Sequence, residues 1–315
     1  MQGLKIGVHI VGPDAASHIE RIATAEKAGV DAVWMTSGGV APDPLTIYAA
    51  AARETERIEF GTSIIPTFPR HPLALVQGAL VVDQLAPGRL RLGVGPSHKP
   101  SVEATFSIPF VRPLQHLREY LAILNAILKE GAVSFHGERL HAEARLAQPT
   151  QIRVLASALR SNGFTLCGEV ADGAISWVCP LPYIRDVAAP ALKAGAEKAG
   201  RPKPPLVTHA PVVVSTNPEE ARAAALKQFG GYPSVPYYRQ MFIDAGFPEA
   251  ENSKMSDAML DALVIHGDEK TVADRIAGMK NFGADELLAS VVNIPEDRNA
   301  TPRTVELLGA LARGS

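Results

Sequence analysis

Apolar residues along this chain fall into short, nearly unbroken runs that alternate with longer stretches where they recur every three or four positions. Runs of the first kind suit strands buried on both faces, and the second pattern suits helices with one face against a sheet. Residues 4–10, 30–35, 58–65, 89–94, 152–156, 174–178, 207–215 and 287–293 read as strands one to eight. Segments 15–28, 44–55, 73–85, 161–170 and 184–199 read as the helices between them. Leu114, Leu117, Leu121, Leu124 and Leu128 mark another helix behind Pro113, and Asn217-Pro218-Glu219-Glu220 is a strong helix start. Residues 96–111 show no period, 132–150 are mixed, and 230–262 form an excursion rich in Tyr, Met and Phe. Eight strands separated by helices, with no linker-like break, predict one α/β domain over residues 1–315. The expected fold is a (β/α)8 TIM barrel with insertions after strands four and seven. An open dinucleotide-binding sheet is excluded, because only Gly12-Pro13 follows the first strand and Pro96 follows the Gly93–Gly95 pair.

Composition narrows the function classes. With 46% apolar residues over 315 positions the chain can bury a large core, and its net charge is only −2. Basic residues are dispersed among acids, so nucleic-acid binding is not expected. Cys167 and Cys179 lack disulfide or metal spacing and read as buried thiols. No apolar window is long enough to cross a bilayer, and the first thirty residues read as a strand and a charged helix rather than a targeting signal. A soluble cytoplasmic protein that acts on a small molecule is the expectation.

In a barrel, chemistry sits at the carboxyl ends of the strands. That rim collects His9 and Ile10, Thr36 and Ser37, residues 63–67, 95–98, 156–158, 177–179 and 209–211, and Asn293. It carries almost no carboxylates, and the nine histidines form neither His-x-His nor His-Glu-x-x-His, so metal-dependent and two-carboxylate hydrolysis are disfavoured. Small residues, hydroxyls and open backbone suit a large planar cofactor that brings its own reactivity. Arg70-His71 reads equally as an anion site or a helix cap, Trp34 as core, and Trp177 as a stacking wall. The cluster Tyr232, Tyr237, Tyr238, Met241 and Phe242 reads as a pocket cover, a subunit contact or a packed excursion.

FGTSIIPTFPRHPLALVQGALVVDQLAPGRLRLGVGPSHK (60–99), RPLQHLREYL (112–121) and GEVADGAISWV (168–178), with the weaker VIHGDEKTVADRIAGMKNFGADELL (264–288), resemble the bacterial luciferase-like family of flavin- and deazaflavin-dependent oxidoreductases. The resemblance covers almost the whole chain, and GTSIIPTFPRHP and GVGPSH look most like its coenzyme F420 branch. It implies an F420-dependent oxidoreductase transferring a hydride to or from a small organic substrate. The alternatives are an FMN-dependent monooxygenase and a non-catalytic cofactor-binding relative. It further implies a homodimer and a cis peptide at Ser63–Ile64 beneath the cofactor ring. Gly95, Ser97 and His98 are expected near the ring head, Ala156, Ser157 and Ala158 with the following helix start near the ribityl and phosphate portion, and Ser176 and Trp177 along the same wall. His98, Thr36 and Ser37 are the candidate catalytic residues. The chain departs from the family pattern after strand two, where Thr36-Ser37-Gly38-Gly39 replaces an acid–histidine pair, and at His98, where some relatives carry Glu.

Overall fold

A computed structural model describes residues 4–314. Eight parallel strands form a closed barrel: β1 Lys5–His9, β2 Ala32–Met35, β3 Glu59–Thr62, β4 Leu90–Gly95, β5 Arg153–Ser157, β6 Gly173–Ser176, β7 Leu206–Val214 and β8 Glu286–Val291. Each strand pairs with the next, and β8 returns to β1 with Lys5 opposite Glu286 and Val8 opposite Ala289. The expected (β/α)8 architecture is therefore observed, with its additions where the pattern puts them. After β4 come helices Lys99–Phe106 and Pro113–Asn125 and an antiparallel hairpin, Ala132–His136 with His141–Arg145. After β7 come helices Pro218–Phe229, Pro236–Asp244 and Asp257–Leu263, then strand Ile265–Gly267 alongside the end of β7. No helix among the described residues is long and apolar enough to cross a membrane.

Helix boundaries follow local chemistry. Asp14 accepts the Ser17 N–H at 2.8 Å at the start of helix Ala15–Ala28, and Gly29 ends it in the left-handed region at φ 102°. Asn217 likewise accepts from Glu219 and Glu220. His71 caps helix Pro72–Leu85 by accepting the Leu73 N–H at 3.2 Å, while Arg70 pairs with Asp43 at 2.6 Å, which decides for the capping reading.

The barrel interior is layered, as strand alternation requires. Arg91 on β4 forms the floor, where its guanidinium is bound by both carboxylate oxygens of Glu286 on β8 and by Glu59 on β3 at 2.7 Å. Lys5 and Arg153 add to Glu59 at 2.6 and 3.1 Å. Arg91 also lies 4.4 Å from the centre of the Trp34 ring, whose Nε1–H donates to Glu286 at 3.0 Å. Above the floor Trp34 fills the barrel with Ala32, Leu155, Ile175, Val207 and Leu288, a cluster separate from the main core under the helices. Trp34 fits because its neighbours are glycines. A Cβ at Gly61 would meet the indole at 2.3 Å and one at Gly7 at 2.5 Å.

One expectation is corrected. Strand three does not run through 58–65: β3 stops at Thr62, and Ile65–Pro66 pairs separately with β4. The intervening Ser63–Ile64 peptide is cis, where the resemblance implies one. Residues 96–111, which show no period, nevertheless hold a helix. Helix Lys99–Phe106 lies there, hidden from periodicity because Val102 is its single buried residue.

Replacing Arg91 with methionine leaves Glu286 and Glu59 without their shared cation in a buried setting. It is expected to lower unfolding stability by about 3–5 kcal/mol in denaturant titration. Joining it to Glu286→Leu is expected to recover part of that loss.

Candidate active site

The carboxyl ends of the strands open into a cavity of about 910 Å³, near the upper end of the roughly 300–1,000 Å³ usual for small-molecule sites. Of the sequence-predicted residues, Thr36, Ser37, Ser63, Ile64, Ser97, His98, Ser157, Ala158 and Trp177 all line it. Gly95, Ala156 and Ser176 do not. They are buried directly behind the wall, and a Cβ at Gly95 would strike Ser157 Oγ at 2.1 Å, so this glycine makes room for the serine.

The Ser63–Ile64 corner is pinned from both neighbouring strands, β2 and β4. Ser63 N–H donates to the Met35 carbonyl at 2.8 Å, and Ser37 N–H to the Ile64 carbonyl at 3.2 Å. Thr67 N–H donates to the Gly95 carbonyl at 2.9 Å, and Thr62 Oγ1 bridges the Gly93 N–H and carbonyl at 2.8 Å each. Ser63 Oγ is buried without a partner on this lining. Ser97 sits in the left-handed region at φ 62° and turns the chain to place His98 on the wall. Burial lowers the His98 pKa, so its imidazole is neutral at pH 7.

Opposite, helix Ser161–Val170 points its first turn at the cavity. Arg160, Ser161, Asn162 and Gly163 line it, and Arg160 supplies no side-chain cap. Gly163 and Phe164 amides return to the Arg160 carbonyl at 2.9 and 3.1 Å, which leaves the Ser161 and Asn162 N–H groups open. Arg160, paired with Asp244 at 3.1 Å, is the one charged residue among the described cavity-lining residues.

A chain of contacts that sequence reasoning missed ties the wall together. Val178, in the left-handed region at φ 52°, donates its N–H to His209 Nδ1 at 3.2 Å. That fixes the hydrogen of the neutral ring on Nε2, which donates to Ser290 Oγ at 2.8 Å. Ser290 in turn lies 3.4 Å from His9 Nδ1. Trp177 stacks on His209 at 3.8 Å, meets His9 edge-on at 5.3 Å and donates from Nε1 to Tyr232 at 2.6 Å. Burial lowers the His9 pKa to about 4, with nearby His18 adding to the effect, and burial lowers His209 well below its usual value. Strand-end position singled out His9 and His209, but only the fold brings them together with Ser290. Of the aromatic excursion, Tyr232, Tyr237 and Tyr238 line the cavity, whereas Met241 and Phe242 are core. Among the described residues no group of three or more His, Cys, Asp or Glu can hold a metal ion.

Residues 4–286 match the family described as luciferase-like monooxygenase. The chain belongs to that family. Among its luciferase-like relatives, an uncharacterised protein of Mycobacterium tuberculosis is 29% identical over 295 residues, spanning 84% of this chain and 86% of the relative. A protein of Beutenbergia cavernae named F420-dependent glucose-6-phosphate dehydrogenase is 33% identical over 220 residues, covering 63% and 64%. Two solved structures share the fold. One is an F420-dependent secondary alcohol dehydrogenase bound to an F420–acetone adduct, with TM-score 0.80, 18% identity and 98% of each chain covered. The other is EDTA monooxygenase from Chelativorans, with TM-score 0.81, 15% identity and 99% and 94% covered. The family match supports a redox enzyme with a flavin or deazaflavin site, and the two folds are equally near.

The buried imidazoles set a pH dependence. His9, His98 and His209 take up protons less readily in the folded protein than in the unfolded chain below pH 6.5, because burial lowers the pKa of each. The unfolded state binds more protons, so stability is full above pH 6.5 and falls as pH drops toward 4. Denaturant midpoints measured from pH 6.5 to 5 are expected to fall, and less steeply in His9→Gln.

Proposed function

We propose that this luciferase-like protein is an F420-dependent oxidoreductase that reduces a small organic substrate. The observation that carries the reading is the cavity wall itself. Hydroxyls, a neutral imidazole and open backbone N–H groups surround a volume large enough for a tricyclic ring, and no lining residue among those described is a carboxylate or a lysine. Such a wall can position reactants and exclude water, but it offers little acid–base power of its own.

The residues fit a deazaflavin nucleotide on two counts. The open Ser161 and Asn162 amides, at the positive end of a ten-residue helix with Arg160 beside them, suit a phosphate. The unpartnered Ser63 Oγ and the Ile64 side chain offer a polar atom and an apolar face to a ring, with Ser97, Ser157, Ala158 and Trp177 along the same wall. When bound, a deazaflavin supplies hydride chemistry at its C5 carbon. His98, Thr36 and Ser37 steady the polar atom of the substrate, and His98, being neutral, can donate a hydrogen bond to a carbonyl oxygen. Reduction, the favoured direction, would take its hydride from reduced F420 and the proton for the substrate oxygen from the His98 imidazole or from water. Tyr232 and Tyr238, in contact at 4.6 Å, close the opposite side against water. The F420-dependent name of the Beutenbergia relative supports F420 over FMN.

Titration of cofactor-free protein with F420 and with FMN, followed by fluorescence, is expected to show much tighter binding of F420. Tighter FMN binding contradicts the proposal and favours a monooxygenase. Ser161→Pro removes one open N–H at a first helical position that tolerates proline, after an Arg160 already extended at φ −122°. It is expected to weaken F420 binding about tenfold, the worth of a hydrogen bond to a charged group, with an unchanged thermal midpoint.

A further inference from the structure

The insertion between β4 and β5 gives the cavity a second compartment of different character. Helix Lys99–Phe106 turns one strip toward it, Ser101, Val102, Thr105 and Phe106, and helix Pro113–Asn125 adds Leu114 and Leu117. Val102, Leu117 and the neighbouring Phe110 are buried, but Phe106 is 37% and Leu114 40% exposed. Both side chains border the cavity, and Leu114 also borders an outer groove beside Arg112, Arg118 and Glu138. Behind them the wall is rigid, with Phe68 stacked on Phe110 at 4.7 Å and on His116 at 4.2 Å. Glu103, on the same helix as Phe106, does not line the cavity and accepts the Phe110 N–H at 3.1 Å.

We propose that this compartment binds the body of the substrate, and that the substrate is a neutral carbonyl compound with a sizeable hydrocarbon portion. A sugar phosphate or other anion finds no free cation here. Arg160, the one charged lining residue among those described, belongs to the helix start assigned above to the cofactor phosphate. His98 and the hydroxyls of Thr36 and Ser37 are neutral groups that can take a carbonyl oxygen, while Val102, Phe106, Leu114 and Leu117 take apolar surface out of water. Phe106 and Leu114 are thus specificity-determining residues. The inference deepens the proposed function and rests on its choice of which end holds the cofactor.

The test is a series of binding titrations on the full chain, with and without F420, using acetone, cyclohex-2-enone, benzalacetone and glucose 6-phosphate. Affinity is expected to rise at least about tenfold from acetone to benzalacetone, following the apolar area buried, with no measurable binding of glucose 6-phosphate. Leu114→Asp and, separately, Phe106→Asp are expected to remove most of the benzalacetone advantage, read as the benzalacetone-to-acetone affinity ratio. Both side chains are more than a third exposed in the free protein, so neither change buries a charge in the core. Glucose 6-phosphate binding as tightly as benzalacetone overturns the proposal. So does an absence of benzalacetone binding, or an unchanged benzalacetone-to-acetone ratio in both variants. If the variants instead halve the solution mass with that ratio unchanged, a second copy of the chain covers this face and the proposal also falls. Failure of the cofactor reading is recognised separately, because neither F420 nor FMN then binds while the ketone series on cofactor-free protein still decides the substrate class.

Discussion

The interaction on which most of the structure depends is the bond across the barrel floor between the Arg91 guanidinium and the Glu286 carboxylate. These residues are 195 positions apart in sequence and stand on β4 and β8. At 3% and 4% exposure neither charge has water to fall back on, so each needs the other, and the barrel must close for them to meet. Trp34 is drawn into the same arrangement, with its ring beside the cation and its N–H on the carboxylate. The glycines of β1 and β3 admit it, and the layer above inherits its position.

This division of labour gives the cavity its chemistry. Charge is gathered at the floor and the middle is apolar, so the open end holds neutral donors and acceptors on a stiff support. Trp177, His209, Ser290 and His9 join β1, β7, β8 and the segment after β6 into one wall, and Val178 accepts a left-handed conformation, rare for a β-branched residue, to hold His209 in a single tautomer. Such a wall suits the proposed reaction, in which a bound redox ring does the chemistry while the protein aligns partners and keeps water out.

How much of this is legible in the sequence depends on the range of the interaction. The eight strands and both insertions are legible because burial on two faces writes an unbroken apolar run, and Thr36 and Ser157 are legible because they directly follow such runs, whereas Ser63 and His98 are marked by the family resemblance. Helix Lys99–Phe106 is not, since the face it turns to the cavity leaves too few buried positions to set a period. The break within strand three is equally silent, because Ile64 and Ile65 continue an apolar run whatever the chain direction does. Ala156 and Ser176 show the limit of strand-end reasoning, for alternate residues of one strand end face opposite ways, while Gly95 faces Ser157 and Ile64 but has no side chain to reach the cavity. Pairs such as Ser290 with His9, 281 positions apart, become visible only in three dimensions.

The most direct test of the central claim, that the strand-end cavity cradles a tricyclic redox ring, is a crystal structure of the protein grown with F420. Density for the ring is expected against Ser63 and Ile64, with the phosphate at the Ser161 and Asn162 amides. A ring bound outside this cavity, or a saturated crystal with the cavity holding water alone, would contradict it.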